Sequence, residues 1–358
     1  MKKTFVIAEA GVNHNGNFEL AKELVSAAAE CGADAIKFQT FNADRLVTAC
    51  VEKTRYQKKS SKPTESQKEM LKKLELPLES FKEIQALCLE KNIKFLSTAF
   101  DQGSLNLIAN TLNVDTLKVA SGEITNFPLL LAHARTKKKL IVSTGMCNLS
   151  EIQAALKVIS YGLIAEKNDI PSHPDSFLKT YLSSESKDKL RQHVTLLHCT
   201  TEYPAPLDEI NLHAITTIKN AFGLPVGYSD HSDGITVSLA AVAKGASIIE
   251  KHFTLDQNFE GPDHKASLNP DDFTRLVKEI RYVERALGSH EKVATSSELA
   301  NSALIRKSVV AARSIAEGEL FSEANLTTKR PGTGTQPKFF WSLLGKTAKK
   351  KYNEDEPI

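Results

Sequence analysis

Eight short apolar runs recur along most of the chain, and most of them end in polar or ionisable residues. They read FVIAEAG (5–11), AIKFQT (35–40), KFLSTA (94–99), TLKVAS (116–121), LIVSTG (140–145), VTLLHCT (194–200), PVGYSD (225–230) and SIIEKHF (247–253). Apolarity that is continuous rather than strictly alternating predicts parallel strands covered on both faces. Helical spacing lies between several of them. Leu20, Leu24, Ala28 and Cys31 share one face after the first run, and Phe81, Ile84, Leu87 and Cys88 share one before the third. After the fifth, Ser150 and Gln153 suggest a capping box ahead of Ile152, Ala155, Leu156 and Ile159. After the eighth, Asn269-Pro270 opens a helix carrying Phe273, Leu276, Val277, Ile280 and Leu287. Eight β-then-α units predict an α/β fold, a (β/α)8 TIM barrel over 1–287, with a doubly wound open sheet as the rival topology.

Two connections are too long to be simple turns. Residues 41–79 are polar and basic, with a short helix expected near 65–74; following a strand, this segment should cover the carboxyl-end face of the barrel. Residues 161–193, rich in Ser, Lys and Asp, read as a surface excursion. Past Leu287 the pattern changes. GSHEKVATSSELA (288–300) reads as a polar linker, and 301–358 holds short extended runs separated by the turns AEGE and RPGTG, a second, β-rich domain. So small a domain should lean on another surface for stability.

Composition narrows the setting. Of 358 residues 41% are hydrophobic and 25% charged, enough for full cores, and the net charge of +3 gives no field that would draw nucleic acid or an anionic membrane. Five cysteines without a CxxC pair speak against a secreted disulfide framework and for the cytoplasm. No apolar run approaches the length of a membrane span.

A barrel of this kind presents chemistry at the carboxyl ends of its strands. Those ends offer Glu9, Asn13 and His14; Lys37 and Gln39; Ser97 and Thr98; Lys118, Ser121 and Glu123; Ser143 and Thr144; His198, Thr200 and Thr201; Ser229, Asp230 and His231; and Glu250 and His252. Together they point to an anionic ligand held by polar groups around one mouth. His231 and His252, at the ends of neighbouring strands, could bind a divalent metal or be an ordinary hydrogen-bonded pair. His14, His198 and His264 are weaker candidates, and His133, His173, His193, His213 and His290 are read as surface residues. Lys37 and Lys118 could clamp phosphate and carboxylate groups, form a Schiff base, or balance Glu9 and Glu123. Hydroxyls at Thr98, Ser121, Ser143 and Ser229 could complete an anion cradle. None of the cysteines has an evident activating partner.

Taken together, EAGVNHNG (9–16), KFQTF (37–41), STAFD (97–101), KVASGEITNFP (118–128), STGM (143–146), LLHCTTEYPAP (196–206), GYSDH (227–231), IEKHFTLD (249–256) and GPDHKASL (261–268) resemble the sialic acid synthase family. RKS (306–308), EGE (317–319) and NLTTKRPGTG (325–334) resemble its antifreeze-like SAF domain. The resemblance implies a TIM barrel followed by a small β-clip domain that sits over the partner's barrel in a domain-swapped homodimer. It implies a transferase that joins phosphoenolpyruvate and an N-acetylated hexose into a nine-carbon keto sugar acid, releasing phosphate. By position, it makes His231 and His252 ligands of Mn2+ (or Mg2+ or Co2+). It gives phosphoenolpyruvate to Lys37, Thr98, Lys118, Ser121, Ser143 and Ser229, with Thr201 where some members carry Asn. It places Glu9, Gln39, Tyr203 and Asp263 around the sugar, Glu123 near the reacting carbons, and Arg330 at the N-acetyl group from the partner subunit. N-acetylmannosamine, giving N-acetylneuraminate, is the preferred sugar; diacetamido-dideoxy precursors of legionaminate or pseudaminate are the alternative. A class I pyruvate aldolase and a sugar- or ice-binding protein are the readings from other classes.

Overall fold

Each of the eight apolar runs folds as a strand because its two faces meet different neighbours. The computed structural model describes residues 3–48, 51–54, 65–166, 169–171 and 173–358. Within it β1 (Phe5–Gly11), β2 (Ala35–Thr40), β3 (Lys94–Ala99), β4 (Thr116–Val119), β5 (Lys139–Ser143), β6 (Val194–Cys199), β7 (Val226–Asp230) and β8 (Ile248–His252) run parallel and in sequence order. β8 pairs back onto β1, so the sheet closes into a barrel rather than remaining open. Outward residues such as Val6, Ala8, Ile36, Phe38 and Val119 join the large core under the helices, whereas Ile7, Ala35, Leu96, Ile141, Leu197 and Ile248 make a separate cluster inside the barrel.

The helices follow the expected faces with shifts of detail. Helix Phe18–Glu30 is capped by Asn17 and buries Ala21, Leu24, Val25 and Ala28. Helix Ser80–Glu90 buries Phe81, Ile84 and Cys88, and Asn269 caps Pro270–Leu287. The capping box of Leu149–Ile164 is Asn148 with Glu151, two residues before the expected Ser150–Gln153 pair. Asn148 keeps an extended backbone, whereas Ser150 is already helical. His133, read as a surface residue, is wholly buried on helix Phe127–Arg135, beside Leu129, Leu130 and Ala134 in its buried set.

Residues 161–193 are more than an excursion. Their first residues finish the helix that ends at Ile164, and helices Asp175–Tyr181 and Ser184–His193 follow. Tyr161 meets Phe177 edge to face at 5.2 Å, and the Ser160 and Ser186 hydroxyls share a buried 2.6 Å hydrogen bond. Within 41–79, the turn Ala43–Leu46 and helix Gln67–Leu74 are present, the latter closed by a Ser66–Glu69 capping box. Positions 49–50 and 55–64 of that segment lie outside the described residues.

The chain divides after Gly288 into two compact units. In the second, the segment read as a linker carries the start of helix Ser296–Ile305, whose Thr295–Glu298 capping box compensates for its thin apolar face. β9 (Ser308–Ala311) and β10 (Leu326–Lys329) pair antiparallel, and Val309, Ala311, Ile315, Phe321, Leu326 and Ala348 form its core. Among the described residues no helix is long and apolar enough to cross a membrane.

Candidate active site

Period-two geometry turns the apolar cluster inside the barrel into a polar one within a single step along each strand. Two residues beyond Ile7, Ala35, Leu96, Ile141, Leu197 and Ile248 stand Glu9, Lys37, Thr98, Ser143, Cys199 and Glu250. Lys118 and Ser229 complete this layer from β4 and β7, and all eight line a cavity of about 300 Å³. Another step upward brings Gln39, Thr201, His231 and His252 to the same cavity. Each strand spends its lower inward position on the barrel interior and its upper ones on chemistry.

Glu250 is the hub of the ion network. Its Oε1 accepts from Ser229 Oγ at 2.8 Å and lies 3.4 Å from Lys118 Nζ, while Oε2 lies 3.7 Å from Lys37 Nζ. Burial pushes Glu250 toward its neutral form, but Lys118, Lys37 and the Ser229 hydroxyl outweigh it and bring its pKa down to about 2. Lys37 also reaches Glu9 at 2.6 Å and Thr98 Oγ1 at 3.3 Å, and Lys118 donates to Ser143 Oγ at 2.8 Å. Burial lowers Lys118, whereas for Lys37 the two carboxylates overcome burial and raise it. The result is two buried ammonium groups held side by side by carboxylates, with hydroxyls around them, as an anionic ligand requires.

Above the lysines, the imidazoles of His231 and His252 lie 5.6 Å apart between ring centroids. His231 Nδ1 donates to the Thr200 carbonyl at 2.6 Å, which leaves Nε2 with its lone pair facing inward, 3.3 Å from Ser229 Oγ. His252 Nδ1 is buried without a hydrogen-bond partner. Burial brings His231 down to about 4, and burial with the neighbouring His231 and Lys37 holds His252 well below its ordinary value, so both rings are neutral, the form that binds metals. Among the described residues no group of three or more His, Cys, Asp or Glu is placed to hold a metal ion. The Tyr203 ring lies on His231 at 4.2 Å and edge-on to His252 at 5.4 Å. Asp263, behind His252, is raised to about 7 by burial and by the neighbouring Glu9 carboxylate.

Most residues singled out in the sequence therefore meet here: Glu9, Lys37, Gln39, Thr98, Lys118, Ser121, Ser143, Thr201, Tyr203, Ser229, His231 and His252 all line the cavity. Gln39 donates to Glu9 at 3.3 Å, and Ser121 Oγ accepts from Gly145 N at 3.0 Å. Three are not among its lining residues: Glu123, Arg330 and Asp263, the last buried with its carboxylate 4.0 Å from His252 Nδ1. Glu123, half-buried on the short turn Ser121–Glu123, has its carboxylate turned to Asn126 Nδ2 at 2.7 Å and stays outside the cavity. Arg330 is exposed in the second unit, where it follows β10 and precedes a cis Pro331. The weaker histidine candidates are structural: His198 bonds the Ile210 carbonyl, His264 bonds Thr254, and His14 accepts from Gly16 N.

Three contributors escaped the sequence reading. Glu250 was placed at the mouth without a role, although its spacing of two from His252 puts both on the inward face. Cys199 Sγ lies in the cavity 3.2 Å from Ser121 Oγ. Gly145 matters through what it lacks, since a Cβ there would lie 2.2 Å from Thr201 Oγ1 and 2.8 Å from Ser121 Oγ.

Comparison with known proteins identifies the family. Residues 24–292 match the NeuB family and 306–358 match the SAF domain. The chain is 49% identical to an N,N'-diacetyllegionaminic acid synthase of Campylobacter jejuni, covering 100% of this chain and 99% of that protein. A synthase of the same name from Legionella pneumophila is 45% identical over 95% of this chain and 89% of its own. The crystal structure of an N-acetylneuraminic acid synthetase from Leptospira borgpetersenii superposes with a TM-score of 0.67 at 32% identity, covering 84% of this chain and 90% of the other. The chain thus belongs to the NeuB family, a nonulosonic acid synthase carrying a SAF domain at its carboxyl end.

Proposed function

We propose that this transferase condenses phosphoenolpyruvate with a 6-deoxy diacetamido hexose (a diacetamido-trideoxy hexose) and water, giving N,N'-diacetyllegionaminic acid and phosphate. The observation that carries the chemistry is the buried pair of lysines beside two neutral imidazoles in one cavity. The choice of sugar rests on the relatives: the two legionaminate synthases share 49% and 45% identity, against 32% for the N-acetylneuraminate synthetase. That reverses the preference for N-acetylmannosamine drawn from the sequence.

In this reading Lys37 and Lys118 hold the phosphate and carboxylate of phosphoenolpyruvate, with hydroxyls from Thr98, Ser121, Ser143 and Ser229. Glu250 keeps both ammonium groups aimed at one point before substrate arrives, which removes reorganisation from the reaction itself. Glu9, Gln39 and Tyr203 flank the sugar. Asp263, with a pKa of about 7, can give or take one proton at neutral pH, a task the turned-away Glu123 does not reach in this structure.

The two imidazoles fit a divalent cation, Mn2+ first and Mg2+ or Co2+ next, because both are neutral and one is an orphaned buried nitrogen. When bound there, the ion would supply Lewis-acid polarisation of the sugar aldehyde. The proposal extends to a domain-swapped homodimer in which the partner's Arg330 approaches the N-acetyl group. Exposed Leu320, Phe339 and Trp341 on the small second unit support it. A cytoplasmic setting suits the substrate and the free Cys31, Cys88, Cys147 and Cys199.

Phosphate release from phosphoenolpyruvate, measured with each candidate sugar and manganese, tests the reading. Turnover should need the metal, stop with chelator, and favour the diacetamido sugar in kcat/KM by at least tenfold. Turnover unaffected by exhaustive chelation, or a preference for N-acetylmannosamine, would overturn the corresponding part.

A further inference from the structure

Beyond the lysines and imidazoles the inward face of the barrel changes character once more. Phe41 follows Gln39 by two residues and Phe100 follows Thr98 by two, so each continues its strand's inward row one step past the polar groups. They meet edge to face at 6.3 Å. Leu46, Val47 and Leu71 line the same side of the cavity, opposite in character to the cationic floor. These side chains belong to a small hydrophobic cluster, distinct from the barrel core, built on Val12, Phe41, Met70 and Leu74 with Leu46, Leu71 and Phe100 packed against it.

The wall is firmly tied. Asp44 on the turn Ala43–Leu46 pairs with Lys68 at 2.8 Å and Lys72 at 3.1 Å, both on helix Gln67–Leu74. Glu75 accepts from Ala43 N at 2.6 Å, and Asp101 accepts from Asn42 N at 3.2 Å. Turn, helix and the end of β3 are thereby fixed to one another. Gln67, one helical turn before Leu71, brings a side-chain amide to the same stretch of cavity.

We propose that this wall, centred on Leu46, Val47 and Leu71, is the specificity-determining surface for the end of the sugar farthest from the reacting aldehyde. It receives the C6 methyl and the second acetamido methyl that the diacetamido-trideoxy hexose carries at positions where N-acetylmannosamine carries hydroxyls. The inference rests on the proposed condensation and names the residues that choose its sugar. Phosphoenolpyruvate occupies the cationic layer and the aldehyde faces the imidazole layer, so the far end of the sugar meets the apolar layer above them. A hydroxyl set against Leu46, Val47 and Leu71, on the side away from Gln67, would lose water and gain no partner from these side chains, whereas a methyl gains contact. An apolar pocket rejects a hydroxylated analogue by roughly a hundredfold.

Leu71→Gln and Val47→Thr test this in the full-length protein, the second being close to isosteric in case the first disturbs the helix. Steady-state kinetics on both sugars should show the kcat/KM ratio, diacetamido sugar over N-acetylmannosamine, falling at least tenfold in each variant. The change should lie in the sugar KM, with the phosphoenolpyruvate KM unchanged, and Leu71→Met should restore the ratio. If the parent protein prefers the diacetamido sugar and both variants keep that preference, the wall inference fails while the substrate reading stands. If the parent prefers N-acetylmannosamine, the substrate reading fails and takes the wall's assignment with it.

Discussion

Asp230 and Lys251 face each other across β7 and β8, their charged atoms 3.2 Å apart and both side chains wholly removed from solvent. Asp230 also accepts from Ser232 N, Ser232 Oγ and Ser238 Oγ, and Lys251 donates to the Ser232 carbonyl. They lie on the outward face, and the next residue of each run is an inward imidazole, His231 or His252. The outer pair therefore pins the register that sets the inner pair.

Removing one partner should cost far more than removing both. Lys251→Met leaves a buried carboxylate uncompensated and should destabilise by about 3–5 kcal/mol. Lys251→Met with Asp230→Leu should recover a large part of that loss. Urea unfolding of the two single variants and the double would give the coupling; purely additive losses would mean that the two charges act independently.

Acid should unfold the metal-free protein through its histidines. His14, His133, His231 and His264 are each lowered to about 4 by burial, against an ordinary value of 6.5. Unfolded chain then binds more protons than folded chain, so stability falls as pH drops from about 6.5 to 4. Glu250, lowered to about 2, extends the loss below pH 4.5. Asp263, raised to about 7, works the other way: its contribution is full below its unfolded value near 3.8 and is lost as pH rises through 7. Four histidines outnumber it, and thermal melting between pH 7 and 4 should show a falling Tm. A flat Tm over that range would contradict the neutral burial of these rings.

Gly145→Ala should impair phosphoenolpyruvate use without unfolding the barrel. Its new Cβ would lie 2.2 Å from Thr201 Oγ1 and 2.8 Å from Ser121 Oγ, closer than van der Waals contact allows. Overpacking of this kind costs about 1–3 kcal/mol, so the phosphoenolpyruvate KM should rise roughly tenfold while the sugar KM moves little. Equal changes in both constants would show that the clash spreads through the whole mouth.

Mixed dimers test the proposed sharing of sites. Arg330→Ala and His231→Ala subunits, each impaired alone, should together regain one intact site per heterodimer if Arg330 serves the partner's cavity. Verified heterodimers without recovery would assign the arginine to its own barrel or to neither.

The strands and the cavity were legible because a closed parallel barrel forces chemistry onto strand ends, where Lys37, Lys118, His231 and His252 stand out against apolar runs. What escaped depended on facing or on side-chain direction. His133 looked superficial because a lone histidine gives no clue to phase until its neighbours Leu129, Leu130 and Ala134 are seen to be buried. Glu123 has the right position along the chain but turns to Asn126, a choice of torsion that no spacing encodes. The helix at Ser296–Ile305 was hidden by its exposed composition, although Thr295 and Glu298 spell its start.

The hub at Glu250 also ties activity to the order of assembly. Glu250 belongs to the last strand of the barrel, Lys37 to the second and Lys118 to the fourth, so contacts across more than half of the polypeptide must form together. No fragment ending before β8 contains the carboxylate that aligns both lysines. Until the ring shuts, a nascent or partly unfolded chain holds two cations with no common anchor, and contacts so distant in sequence form slowly. Competence to bind the anionic substrate should thus arrive in a single late event, making ligand binding a reporter of ring closure itself.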